Sequence, residues 1–149
     1  MKKIQKRSDC PISYCLDFFG DKWTLLIIRD IVIYDKNTFG DFLNSGEGMA
    51  TNVLTDRLKM LEAEGFLIKY PVPGKSRTAY ALTEKGITLI PMIVELSEWG
   101  AAYSQTNNSK SREVFATALK KNKAGLIKQL KKKYLEIYRE KAGVSKVEL

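Results

Sequence analysis

The alternation of apolar and polar residues predicts a chain built mainly of helices. In residues 23–34, WTLLIIRDIVIY, the side chains of Ile27, Ile31 and Tyr34 fall on one face of a helix, and a second apolar stripe lies beside them. This pattern predicts a central and largely buried helix. A shorter helix is predicted before it, because a proline opens and a glycine closes the segment PISYCLDFFG.

The next two predicted helices form a helix-turn-helix. Thr38 and Asp41 have the spacing of a capping box at the start of a short helix. The cluster NSGEG then supplies a turn. The stretch that follows, TNVLTDRLKMLEAEGFL, carries one apolar stripe, formed by Leu54, Leu58 and Leu61. Two helices joined by a tight, glycine-containing turn are typical of a helix-turn-helix.

A β-hairpin is predicted directly after this motif. Residues 66–70, FLIKY, and residues 77–82, RTAYAL, both read as strands, and they enclose the turn PVPGKS. A helix-turn-helix followed by a hairpin is the plan of a winged helix. The fold class is therefore predicted as mainly α, with a small β-hairpin wing and extra C-terminal helices.

The segment after the hairpin predicts a long helix with a kink at Pro91. It has too many apolar positions for a helix that packs only on its own domain. We therefore expect it to contribute to a dimer interface through Val94, Trp99 and Tyr103.

Asn107, Asn108 and Ser109 interrupt the helical pattern, and one or two basic helices are predicted beyond them. We divide the chain accordingly into a winged helix-turn-helix domain, residues 1–105, and a basic helical extension, residues 106–149. The extension has its own apolar stripe, for which we expect a role in reinforcing a dimer: Leu126, Leu130, Tyr134 and Ile137.

The net charge of +8 comes entirely from the extension. Residues 110–149 contain 12 basic and 4 acidic residues, whereas residues 1–109 contain 13 of each. The high net charge is therefore weak evidence about the main domain. The lysines of the extension either follow DNA outside the core site or form a solvated helix face, and solvated faces are the commoner case.

The residue inventory excludes several functional classes. The chain has no histidine, and its two cysteines, Cys10 and Cys15, cannot supply a disulfide framework or a structural zinc site. We expect neither an enzyme nor a bound metal or cofactor. No apolar run approaches the roughly 18 residues of a membrane span, and the charged opening residues differ from a signal peptide. We therefore expect a cytoplasmic protein without a membrane partner.

Five short segments, in order and at matching spacing, resemble the HxlR-type winged helix-turn-helix transcriptional regulators, which are similar in plan to MarR-type regulators. The segments cover roughly residues 10–103 and read CPI, GDKWTLLIIRD, FGDF, VLTDRLK followed by LE, and YALTEKG. The resemblance implies a homodimer that binds a double-stranded DNA operator. It also implies dimer contacts from the N-terminal helix and from the helices after the wing.

Two positions depart from the family pattern. The recognition helix of the family opens with Ile-Ser, whereas this chain has Met49 and Ala50, so we expect Thr51 to cap the helix one residue later. The wing strand of the family carries a glutamate where this chain has Ala79, although Arg77 is retained.

A recognition helix needs an apolar stripe to dock on its own domain and short polar side chains at the end that enters the major groove. Asn52 can bond an adenine edge, and a threonine methyl can contact a thymine methyl. Lysines and arginines of the helix and wing suit phosphates and the minor groove. The predicted DNA-binding residues are Thr51, Asn52, Thr55, Arg57, Lys59, Lys75 and Arg77, with Lys69 as a further candidate.

Cys10 is the candidate redox-sensing residue, because family members with Cys-Pro at this position include thiol-based sensors of oxidants or electrophiles. With Pro11 as first helical residue, Cys10 lies at the N-cap, where the positive helix end favours a thiolate. Lys6 and Arg7 add positive potential and Asp9 opposes it. The alternative is a small thiol packed at the dimer seam.

These features predict a homodimeric, sequence-specific DNA-binding transcriptional regulator, redox or electrophile responsive through Cys10. The alternative is a winged-helix module whose helix-turn-helix surface binds a protein partner rather than specific DNA. The salt dependence of binding separates the two, because the neutralisation of phosphates makes DNA affinity fall steeply with salt.

Overall fold

The structure, a computed structural model, describes residues 4–104 and 110–144 and shows in them seven helices and one two-stranded sheet. The mainly helical fold class with a hairpin wing is confirmed. In chain order the elements are α1 (Pro11–Phe19), α2 (Thr24–Tyr34), α3 (Phe39–Leu43), α4 (Thr51–Ala63), β1 (Leu67–Pro71), β2 (Thr78–Leu82), α5 (Glu84–Ile87), α6 (Ile90–Tyr103) and α7 (Lys110–Ala142).

Helix α2 lies at the centre of the core, as its two apolar stripes predict. Ile27 and Ile28 are fully buried. The start of the helix is fixed by Asp21, whose carboxylate accepts hydrogen bonds from the N–H groups of Trp23 at 2.8 Å and Thr24 at 2.9 Å, and from the Thr24 hydroxyl at 2.6 Å. These bonds satisfy donors that a helix leaves free at its N-terminus.

The helix-turn-helix consists of α3, a turn and α4. The predicted capping box of α3 is confirmed: Thr38 Oγ1 accepts from the N–H of Asp41 at 3.2 Å, and the Asp41 carboxylate accepts from the N–H of Thr38 at 3.0 Å. The prediction that Thr51 caps α4 is wrong. Ala50 occupies the N-cap, Thr51 is already helical, and no side chain caps this helix.

The wing is an antiparallel pair in which Leu67 lies opposite Leu82 and Pro71 lies opposite Thr78. Each of the two predicted strands therefore begins one residue before the observed strand. At the tip Gly74 has φ +70°, a left-handed conformation that glycine adopts without steric strain.

The single long helix predicted after the wing is two helices. Thr83 caps α5 by accepting a hydrogen bond from the N–H of Gly86 at 3.1 Å. The chain then turns, and α6 begins at Ile90 with Pro91 in its first turn. A proline fits there because the N–H that it lacks has no partner in the first turn of a helix. Pro91 therefore opens a helix and does not kink one.

The C-terminal helix α7 covers the outer face of the wing. Tyr80 and Leu82 belong to the core cluster, and Ala79 and Ala81, which alternate with them, are also buried. Cross-strand pairing puts Ala79 on the same face as Tyr70, and Lys141 of α7 lies over the ring of Tyr70. Helix α7 also contacts β2, the strand that carries Ala79 and Ala81.

The extension packs on the chain's own core. Tyr134 is 3% exposed and Leu119 is also buried, so both halves of α7 contribute to the core of the winged helix. The expectation that its apolar stripe reinforces a dimer is therefore wrong. The helix bends at Asn122, whose backbone is extended (φ −161°, ψ 86°). The predicted break at residues 107–109, and with it the proposed domain boundary, lies outside the described residues.

Candidate nucleic-acid interface

Helix α4 has the two faces that a recognition helix needs. Leu54, Leu58 and Leu61 are buried against the domain. Thr51 and Asn52 lie on the exposed side of the first turn. Within the described part of the chain, no hydrogen bond engages the Asn52 side-chain amide, so its donors and acceptor face solvent.

Thr55 is half-buried, and its hydroxyl donates to the main-chain oxygen of Thr51 at 2.8 Å. This bond occupies the hydroxyl proton. Thr55 therefore offers an acceptor lone pair and a methyl group, but no hydroxyl donor unless the bond to Thr51 breaks.

Arg57 anchors the recognition helix to the loop before α2. Its guanidinium lies 3.5 Å from the carboxylate of Asp21 and 2.9 Å from that of Asp56. Partial burial raises the pKa of Asp21, but the hydrogen bonds from Thr24 and Trp23, together with the charge of Arg57, outweigh it and leave the pKa below its ordinary value. Arg57 is thus engaged inside the protein, whereas Lys59 is exposed on the same helix.

The wing presents its cations to solvent. Lys69, Lys75 and Arg77 are all exposed. Lys75 and Arg77 also line an open groove between the wing and the start of α3. A hydrogen bond from the N–H of Val72 to the oxygen of Arg77, at 3.0 Å, closes the tip and holds Arg77 beside it.

A charged network behind the turn of the helix-turn-helix was missed from the sequence. Arg29 of α2 donates to Glu47, in the turn before α4, at 2.6 Å and to Asp30 at 2.6 and 3.0 Å. Burial raises the pKa of Asp30 although Arg29 and Lys36 oppose the shift. The signal in the sequence was an adjacent Arg and Asp inside an otherwise apolar helix.

Two apolar faces are exposed in the single chain. On α6, Trp99 and Tyr103 are 68% and 75% exposed, and their ring centres lie 5.1 Å apart. On α1, Ile12 and Leu16 are also exposed. The predicted role of Val94 in a dimer interface is wrong, because its side chain is fully buried in the chain's own core.

Cys10 is the exposed N-cap of α1, with Pro11 in the first turn. The predicted positive surroundings are largely neutralised. Lys6 pairs with Asp9 at 2.6 Å, and Arg7 pairs with Asp17. Cys15 is a second exposed, free thiol. Cys10 therefore keeps two of the predicted features, exposure and a position at the helix end, but has no unpaired cation in Lys6 or Arg7.

The described residues also bear on metal binding and membrane insertion. Residues 4–104 and 110–144 contain no group of three or more Cys, Asp or Glu residues arranged to hold a metal ion. None of the helices described there combines the length and the apolar character needed to cross a membrane.

A central apolar helix, a helix-turn-helix with a polar recognition face and a two-stranded wing define a winged helix-turn-helix protein of the MarR-like type. Residues 18–108 match the HxlR-like helix-turn-helix family, so the chain belongs to that family. Proteins of this family are transcriptional regulators, and the chain is not an enzyme.

Individual relatives agree with this assignment. The uncharacterized HTH-type transcriptional regulator YybR of Bacillus subtilis is 33% identical over 97 residues, which are 63% of this chain and 75% of YybR. The solved structure of PA1607 superimposes with a TM-score of 0.61 at 35% identity, covering 70% of this chain and 72% of PA1607. The redox regulator HypR in its oxidized form gives a TM-score of 0.56 at 29% identity, covering 65% of this chain and all of HypR.

Proposed function

We propose that the chain is a homodimeric regulator that binds a specific double-stranded DNA operator through α4 and the wing. The observation that carries this proposal is the division of α4 into a buried leucine stripe and an exposed polar first turn. Thr51 and Asn52 are therefore free to meet base edges, and Lys75 and Arg77 on the wing are free to meet phosphates.

The Arg57 contacts give this residue a role different from the one its charge predicts. Its contact with Asp21 joins α4 to the loop before α2, whereas its other partner, Asp56, lies on α4 itself. We propose that it orients the recognition helix, and that Lys59, which is exposed, is the phosphate-contacting cation of α4.

The exposed apolar faces of α1 and α6 support the homodimer. Trp99 and Tyr103 on α6, and Ile12 and Leu16 on α1, are large side chains that a second copy of the chain would remove from water. A two-fold dimer also serves recognition, because it presents two recognition helices to major grooves one helical turn apart.

A selection of bound sites from random duplex DNA tests the proposal. Recovery of a two-fold symmetric sequence would support it, and repeated selection without enrichment would contradict it. The alternative, a module that binds a protein partner, is tested by measuring affinity for the selected duplex at several salt concentrations. DNA binding gives a linear fall of log affinity with log salt, whereas a protein interface need not respond so steeply.

We further propose that the regulator responds to oxidants or electrophiles through Cys10. Its thiol is exposed at the start of α1, the helix that also carries the exposed side chains of Ile12 and Leu16, so we place a modification of Cys10 near the proposed dimer seam. The similarity to the redox regulator HypR supports a redox response.

A further inference from the structure

A cavity of about 400 Å³ lies between α2, α6 and the first half of α7. We call it the extension cavity, because six of its lining residues, from Glu113 to Lys120, belong to α7. These residues lie beyond position 108, where the match to the family ends. The extension cavity is therefore a feature of this chain and not of the family's shared domain.

The walls of the extension cavity combine an apolar body with hydrogen-bond donors. Ile33, Phe115 and Leu119 supply apolar surface. Arg29, Thr117 and Lys120 supply hydrogen-bond donors, and Glu113 supplies one carboxylate, so the two cations outnumber the single acid in the lining. The volume falls in the range of about 300 to 1,000 Å³ that is typical of sites for small molecules, and such sites usually pair apolar walls with a few polar groups.

Arg29 is the polar group with the most specific geometry. A guanidinium has five N–H donors. Nε and Nη2 donate to Asp30, and Nη1 donates to Glu47. Departure of Glu47 would therefore free Nη1 for another acceptor. The two carboxylate partners differ in exposure: the Asp30 side chain is 3% exposed and the Glu47 side chain 35%. Glu47 can therefore turn towards water, whereas Asp30 cannot.

We infer that the extension cavity binds a small apolar molecule carrying one carboxylate, which takes the place of Glu47 on Arg29. The apolar body of the ligand would lie against Phe115 and Leu119. Because Asp30 and Glu47 already neutralise Arg29, an incoming carboxylate competes with Glu47 and does not add a third anion. Planar, bidentate recognition of carboxylates is the geometry that arginine provides.

The same exchange connects the extension cavity to DNA binding, a step that rests on the proposed function. Glu47 lies in the turn that ends where α4 begins at Thr51. Its bond to Arg29 ties this turn to α2. When a ligand carboxylate replaces Glu47, the turn loses that tie, and the recognition helix is held less firmly. Ligand binding and operator binding therefore oppose each other, and by linkage the effect is reciprocal.

Direct binding to the full chain tests the site without DNA. The probe is 2-naphthoate, followed by calorimetry, and the neutral 2-naphthamide is the matched control. We expect saturable binding of the naphthoate, with the amide about tenfold weaker because it lacks the charge-assisted bond. Glu47→Gln removes the competing carboxylate and should strengthen naphthoate binding severalfold. Ala116→Phe fills the extension cavity and should abolish binding, and Ala101→Leu on the facing helix is a second blocking variant.

Four results would overturn the site: no saturable binding of naphthoate, equal affinity for the amide, weaker binding by Glu47→Gln, or full binding by both blocking variants with unchanged thermal melting. The effect of the ligand on DNA binding is measured separately. Addition of naphthoate should lower the operator affinity of the wild type and leave that of Ala116→Phe unchanged. If no operator is found, the proposed function is wrong, but calorimetry still shows whether the extension cavity binds naphthoate. If naphthoate binds but operator affinity is unchanged, the link through Glu47 is wrong.

Discussion

The hydroxyl of Tyr134 lies 2.8 Å from the carboxylate of Asp35, and this contact joins α7 to the end of α2. The same hydroxyl also meets the main-chain oxygens of Ile31 and Val32. Asp35 has φ +53°, an uncommon conformation for a residue other than glycine, and its carboxylate also pairs with Lys133. The extension thus holds the C-terminal end of the central helix.

We predict that Tyr134→Phe lowers the free energy of unfolding by about 1 to 2 kcal/mol, because it leaves the ring in place and removes a buried hydrogen bond to a charged partner. Tyr134→Ala should cost about 3 to 5 kcal/mol, because it also leaves a cavity. Urea unfolding measures both. Tyr138→Phe is the control, since Tyr138 also lies on α7 and packs against the core. Equal, small effects of Tyr134→Phe and Tyr138→Phe would mean that the hydroxyl does not stabilise the junction.

A second prediction concerns the effect of acid on Asp21, whose carboxylate fixes the start of α2. The folded-state pKa of Asp21 lies below its ordinary value of 3.8, so its charged form stabilises the folded state above that pH. This contribution is lost as the pH falls through the folded pKa. Asp21→Ala should therefore cost about 1 kcal/mol near neutral pH, as for the loss of a helix cap, and progressively less below pH 3.8.

Chemical unfolding of wild type and Asp21→Ala between neutral pH and about pH 2 measures this difference. The control is Asp56→Ala, since Asp56 pairs with the same Arg57 but is more exposed and caps no helix. A stability difference for Asp21→Ala that stays constant down to the lowest pH would show that its carboxylate is not held in its charged form by the cap.

Local patterns allowed most of the fold to be predicted. Periodicity and capping residues predicted α1 to α4 and the hairpin, because these signals lie within a few neighbouring residues. The packing of α7 was not predictable in the same way, because helical spacing defines an apolar face but not the surface that covers it. Tyr134 and Asp35 are 99 positions apart. Val94 illustrates the same limit: its apolar character was visible, but not its burial within one chain.

The candidate site was only partly predictable for a related reason. The exposure of Asn52 followed from the period of α4, so its place on the outer face could be predicted. The ion pairs of Arg57 with Asp21 and of Arg29 with Glu47 join separate elements, and a charge in the sequence does not reveal whether its partner is DNA or protein. The role of a cation near a recognition helix can therefore be assigned only from the folded structure.

The third prediction concerns base recognition. Asn52→Ala should weaken binding to the selected operator by about 1 to 3 kcal/mol and leave binding to random duplex nearly unchanged, because its amide reads a base edge. Arg77→Ala is the matched contrast: it should weaken both and reduce the salt slope by about 1, as expected for one lost phosphate contact. Fluorescence anisotropy at several salt concentrations measures both. Equal losses of Asn52→Ala on operator and random DNA would exclude base reading by this residue.

The fourth prediction concerns assembly. Trp99→Asp places a charge in the exposed apolar face of α6, so it should give folded monomers with reduced operator affinity. Val94→Asp should instead unfold the chain, because Val94 lies in the core of the single subunit. Val114→Asp is the control, since Val114 is an exposed apolar residue of α7 outside these faces. Light scattering that finds an intact dimer for Trp99→Asp would remove α6 from the interface.

The last prediction concerns Cys10. Oxidation by diamide should change operator binding by the wild type and leave Cys10→Ser unaffected. Cys10 and Cys15 are five residues apart, and the rise of a helix, about 1.5 Å per residue, separates them by more than a disulfide within one subunit tolerates. Each disulfide takes two thiols, and diamide accepts their two electrons and protons. The expected product is a Cys10–Cys10 or Cys10–Cys15 link between subunits, or a mixed disulfide with an added small thiol.

Non-reducing electrophoresis distinguishes these products, and Cys15→Ser is the matched control. A linked dimer that persists in Cys15→Ser assigns the bond to Cys10 of both subunits. A link that is lost both in Cys10→Ser and in Cys15→Ser joins Cys10 of one subunit to Cys15 of the other. If diamide leaves operator binding unchanged while mass spectrometry finds Cys10 unmodified, the thiol is not a sensor. Cys10 is then an N-terminal residue of α1 that contributes only to packing at the dimer seam.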